Sequence, residues 1–129
     1  MIYRLVRVGD CEAVNGHWCF QSNAFDNASQ RTDDEHPDDM SVVLGDTLAA
    51  LGREPGKLPD ETSWINVAED WGVAALEARY LTQEEEQVIL RTPNAEPAHG
   101  DVRGKKGSSR RKRIKKHAWW ICQPAKRPE

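Results

Sequence analysis

A chain of 129 residues with 38% hydrophobic, 30% charged and 7% aromatic residues is the size of one domain and long enough to bury a core without disulfides or metal. No apolar run approaches the ~20 residues that span a bilayer, and charge arrives at Arg4 and Arg7 before any long apolar stretch; the sequence therefore excludes a membrane-spanning helix and predicts no secretory leader. The net charge of −3 divides sharply, because residues 1–101 hold 7 Lys/Arg against 20 Asp/Glu (−13) and residues 102–129 hold 11 against 1 (+10).

In chain order, residues 2–8 read as a strand, rich in Ile, Tyr, Leu and Val and closed by Gly9-Asp10. Residues 17–20 form a second candidate strand. Residues 26–39 have no apolar periodicity and many turn formers, which predicts a long loop. Residues 40–44 return to apolar character as a short strand. Asp46 is placed to cap a brief helix over 47–51 that Gly52 stops. Residues 53–61, with Pro55, Gly56 and Pro59, read as a connector, and 64–69 fit helix and strand equally.

Residues 72–76 (GVAAL) predict a buried strand, 77–86 a short helix with an acidic end, and 88–91 a strand closed by Thr92-Pro93. Over 98–103 Ala98, Gly100 and Val102 alternate with His99, Asp101 and Arg103, the period-2 mark of a half-buried strand. Ser108 or Ser109 then caps a basic helix over 110–118, followed by apolar 119–122 and a Pro-containing tail. Short strands mixed with short helices predict a single small α+β domain over residues 1–122, with a mixed or antiparallel sheet and a basic helix near 108–118. Residues 123–129 form a short tail. Three cysteines, an odd and sparse set, predict reduced thiols and a cytoplasmic setting.

The succession FQSNAF, DDMSV, WGVAALEARYL, VILRTPNAEPAHGDVRGKK and AWWI resembles a family of small uncharacterised prokaryotic proteins with Ser/Phe, Ser-Val and Pro-Ala-His motifs. The matching residues are Ser22, Ala24, Phe25, Ser41, Val42, Pro97, Ala98, His99 and Gly104. The resemblance covers most of residues 18–122 and departs in the basic run 110–116. It implies a fold-sized unit of no established activity, and a place as an accessory protein in multi-gene prokaryotic systems, defence systems included.

The densest chemical signal is the cationic stretch. Arg103, Lys105, Lys106, Arg110, Arg111, Lys112, Arg113, Lys115 and Lys116 place nine cations within fourteen residues. Such residues neutralise phosphates, release counterions and give salt-dependent affinity without sequence reading. Ser108 and Ser109 at a helix start add backbone N–H donors, and Trp119 and Trp120 stack on bases if exposed, although large aromatics more often anchor a core. The competing account is a solvated helix face, or one that neutralises the acidic body.

For metal, Cys11, His17 and Cys19 lie close together and His36 sits among acids, yet no second closely spaced pair completes a zinc set; no metal and no cofactor are expected. For catalysis, His99 beside Asp101 is the best general base, with Ser22 or Ser41 for a hydroxyl and Arg4 for an anion. The bland alternative has His99 bonding a loop carbonyl and holding the Pro-Ala-His turn. The expectation is a small accessory protein whose basic C-terminal element contacts a larger protein or a nucleic-acid phosphate backbone. A hydrolase or toxin-like nuclease using His99, Ser22 and Arg4 is the alternative.

Overall fold

β1 (Ile2–Arg7) runs through the middle of the sheet, and its composition explains why: Ile2 and Val6 point to one face, Tyr3 and Leu5 to the other, so both sides of the strand are covered. A computed structural model describes residues 1–25, 39–82, 87–104 and 106–128. After β1 a turn leads into β2 (Cys11–Val14), which pairs antiparallel with β3 (His17–Phe20). Asn15 and Gly16, with φ of 51° and 77°, make the two-residue turn between them, the geometry that Asn-Gly favours in hairpins. β2 is thus an element the sequence reading left out, although Asn-Gly marks it.

The main sheet adds β4 (Met40–Leu44), β5 (Trp71–Leu76), β6 (Val88–Arg91), β7 (His99–Arg103) and β8 (Trp119–Cys122). Their order is β6-β7-β4-β1-β5-β8, and every pairing is antiparallel. The fold is therefore α+β, with one six-stranded antiparallel sheet, a separate two-stranded ribbon and short helices. β5 is buried along nearly its whole length, which fits its uninterrupted apolar run.

Four helices accompany the strands among the described residues: α1 (Gly45–Ala50), α2 (Leu58–Glu61), α3 (Arg79–Thr82) and α4 (Ser108–His117). One sheet face packs Ile2, Val6, Val42, Ala74, Leu76 and Val102 against Leu81 of α3, Ile114 of α4 and the Ser22–Phe25 turn. The other packs Val43 and Val73 against Leu48 of α1, Leu58 of α2 and Ala98.

Several boundaries differ from the sequence reading, for local reasons. α1 begins at Gly45 with Leu44 as an uncapped N-cap, so Asp46 lies in the first turn, where a carboxylate favours the helix dipole. Gly52 does close it, at φ 70°. The predicted connector 53–61 contains α2, started by Pro59 in its first turn. The helix expected over 77–86 is described only as Arg79–Thr82, and 83–86 and the loop 26–38 lie outside the described residues. No helix of the described residues is long and apolar enough to cross a membrane.

Candidate functional site

α4 is built from ten residues with no Gly, no Pro and one aliphatic side chain, Ile114. Gly107 is its N-cap and no side chain caps it, so Ser108 and Ser109 stand inside the first turn and neither takes the capping role expected of them. Lys115, Lys116 and His117 occupy the last turn, where cations oppose the helix dipole. Ala118 ends the helix, its N–H donating to the Ile114 carbonyl at 3.1 Å.

Ile114 is 0% exposed and seats α4 against the sheet, with Arg110, one turn earlier, 5% exposed beside it. At 100° per residue Lys112 and Lys116 lie about 160° from Ile114 on the opposite face, with Ser108 and Ser109 at about 120–140°, while Lys115 stands on the flank at about 100°. Lys112 and Lys116 are exposed and Lys115 half-buried, and none of the three has an ion-pair partner among the described residues.

The nine cations therefore divide by position. Lys106 is 6% exposed and its Nζ donates to the Gly104 carbonyl at 2.7 Å. Arg103 grips buried Asp39 with two bonds, Nε to Oδ1 at 3.0 Å and Nη2 to Oδ2 at 3.2 Å. Arg110 is buried, Arg111 half-buried and Arg113 exposed. Lys105 lies outside the described residues. The tryptophans divide too. Trp120 donates Nε1–H to the Trp18 carbonyl at 3.0 Å and packs its ring 4.2 Å from Phe20. Trp119 is 41% exposed, but it sits opposite Ala75 while Trp120 sits opposite Ala74, which puts Trp119 on the sheet face away from α4.

On that other face a cleft of about 50 Å³ opens between Leu5, Ser41, Val43, Thr62, Trp64, Glu96 and His99. β7 presents His99, Asp101 and Arg103 on one side, since alternate strand residues share a face. His99 Nδ1 lies 2.8 Å from the Thr92 carbonyl oxygen and 3.0 Å from Thr92 Oγ1. A carbonyl only accepts, so Nδ1 carries the hydrogen and Nε2 holds the lone pair of the neutral ring. The Thr92 hydroxyl in turn donates to buried Asp101 at 2.9 Å.

The loop-carbonyl contact expected of His99 is present, and the turn before it is clamped separately by Arg53 on Glu96. Ser41 faces Asp101 and Val43 faces His99 across the β4–β7 ladder, which makes Ser41 a diagonal neighbour of His99. Ser22 lies in the turn packed under the opposite sheet face. Arg4 contributes to the cleft wall, but its guanidinium donates to the carbonyls of Ala24, at 2.7 Å, and Ser41. His99 is thus brought together with Ser41 and not with Ser22.

In the hairpin Cys11 faces Phe20 and Cys19 faces Glu12, so the two thiols project to opposite sides of the ribbon. His36 lies outside the described residues, and among the described ones no three His, Cys, Asp or Glu side chains gather to hold a metal. No family model, no curated protein and no solved structure matches the chain.

Proposed function

We propose that this chain is a small cytoplasmic binding protein that holds the phosphate backbone of nucleic acid on the lysine face of α4. The observation that carries the reading is Lys112, Lys115 and Lys116 at i, i+3 and i+4, with Lys112 and Lys116 on the face opposite buried Ile114 and half-buried Lys115 on its flank, and with no counter-ion for any of them among the described residues. Like charges at those spacings oppose the helix by about 0.2–0.5 kcal/mol per pair, and a bound polyanion relieves that repulsion. Protein interfaces favour aromatic and Arg anchors and are depleted in Lys at their centres, whereas lysine serves phosphate as a point charge. With Trp119 on the opposite sheet face, the reading is backbone contact without base recognition. The three free thiols are consistent with a reducing compartment.

A hydrolase or nuclease built from His99, Ser22 and Arg4 has less to support it, because Ser22 lies under the opposite sheet face from His99 and the Arg4 guanidinium, although Arg4 lines the same cleft, is committed to the Ala24 and Ser41 carbonyls. A protein partner in place of nucleic acid is separated by experiment. Fluorescence anisotropy with a labelled random-sequence duplex is expected to give a plot of log affinity against log salt with a slope of about −2.7, since three neutralised phosphates contribute roughly 0.9 each. The triple substitution Lys112→Glu, Lys115→Glu, Lys116→Glu abolishes binding and leaves the circular dichroism spectrum unchanged. Duplex binding that survives the triple variant, or no duplex binding at low salt, overturns the reading.

A further inference from the structure

The cleft opposite α4 plays no part in phosphate binding. We propose that it is a separate site for a small molecule bearing an uncharged head group with a hydrogen-bond donor beside an acceptor, a primary carboxamide being the simplest case. His99 and Ser41 both line it, and each keeps a polar side-chain atom with no partner among the described residues, His99 Nε2 and Ser41 Oγ. The first is an acceptor in the neutral ring, because Thr92 holds the hydrogen on Nδ1. The second is a hydroxyl able to donate.

The charges in the wall are already committed. Glu96 accepts two bonds from Arg53 and one from the Ala98 N–H, and Arg4 is turned to the Ala24 and Ser41 carbonyls. A carboxylate entering here meets a lone pair on Nε2 and the fixed charge of Glu96. An ammonium finds no uncommitted carboxylate in the lining. An amide satisfies both atoms at once, its N–H on His99 Nε2 and its C=O taking the Ser41 hydroxyl hydrogen.

Size agrees with this choice. Diagonal cross-strand partners stand roughly 7–8 Å apart, a gap that two hydrogen bonds of about 2.9 Å and one amide group bridge. The cleft volume of about 50 Å³ is well below the ~150 Å³ of a cavity that takes benzene, so the head group is a few atoms and the rest of the ligand leaves through the mouth. There Trp64, 56% exposed and set edge-on to Trp71 at 5.2 Å, offers an indole surface to cover it.

Acetamide, acetate and methylammonium are the probes, titrated into the full chain while the His99 ring carbons and the Trp64 indole N–H are followed by NMR. The expected result is saturable movement of both signals with acetamide alone, in the millimolar range usual for a probe of this size. Ser41→Ala, which keeps the backbone carbonyl that Arg4 uses, weakens acetamide by roughly three- to tenfold, the loss of one neutral hydrogen bond. Trp64→Ala, at an exposed position, is the second variant and also weakens it. Absence of saturation with acetamide, equal or tighter binding of acetate or methylammonium, or acetamide affinity unchanged in both variants overturns the proposal.

Discussion

Arg53 and Glu96, far apart in sequence, meet in a bidentate pair, Nη1 to Oε2 at 2.6 Å and Nη2 to Oε1 at 2.7 Å. Arg53 Nε also donates to Glu61 at 3.2 Å, and Glu96 accepts the Ala98 N–H at 3.0 Å. One guanidinium thus ties the end of α2 to the turn that delivers His99 into the cleft.

The pair makes stability depend on pH in a defined direction. The Arg53 hydrogen bonds hold the Glu96 carboxyl below its ordinary value, against the burial that pushes it up. A carboxyl depressed in the fold contributes stability that is present above its unfolded value and is lost as pH falls through its folded one. Glu96→Gln is therefore expected to unfold at lower urea than the parent at neutral pH, by about 1–3 kcal/mol for a charged hydrogen-bonded pair. The difference shrinks as both are taken to strongly acidic pH. A difference that stays constant across that range places the contribution elsewhere.

Gly72 tests the attachment of the edge strand. A Cβ at Gly72 would stand 2.6 Å from the Trp120 ring, 2.7 Å from the Cys122 carbonyl oxygen and 2.7 Å from Pro124 Cδ. Two of those neighbours are a backbone atom and a proline ring, which yield little. Gly72→Ala is expected to lose about 1–3 kcal/mol, the usual range for overpacking. Amide exchange in Trp119–Cys122 should quicken more than in β1. Uniform exchange across both strands would mean that β8 does not separate as a unit.

The strands were legible where burial writes a period into the sequence. The GVAAL run of β5 and the strand around His99 and Asp101 both fall where expected, but β7 is not the half-buried strand its alternation predicts, since Asp101 is buried along with Gly100 and Val102. β2 was not legible from apolar pattern, since only Cys11 of its four residues is buried; Asn15-Gly16 was its one signal. The basic helix was legible as a helix, but composition cannot say that Arg110 and Lys106 are buried while Lys112 and Lys116 are exposed. Within the helix that division follows from the position of Ile114, whereas Lys106 lies before the helix and is buried with its Nζ on the Gly104 carbonyl. The neighbourhood of Ser41 and His99 depends on the β4–β7 register, a long-range pairing that no local propensity encodes.

Cys11 offers a test of how the hairpin packs. Its side chain belongs to the core beneath the sheet, and Sγ donates to the Arg7 carbonyl at 3.5 Å. Burial first, then the charges of Asp10 and Cys19, pushes the thiol up to about 12 from an ordinary 9.0. A rise of about three units reduces the thiolate at a given pH below 9 by roughly a thousandfold, and the thiolate is the species that alkylates. Native Cys11 is thus expected to resist iodoacetamide at pH 8 under conditions where the urea-unfolded chain is fully modified, with site-resolved mass spectrometry as the readout. Because the folded value is raised, this thiol's contribution to stability is complete below pH 9 and is lost as pH climbs toward 12. Cys11→Ala should then flatten the alkaline limb of the stability curve. Native labelling of Cys11 as fast as in urea, with the other strands still protected from exchange, would show that the β2–β3 ribbon opens independently of the sheet.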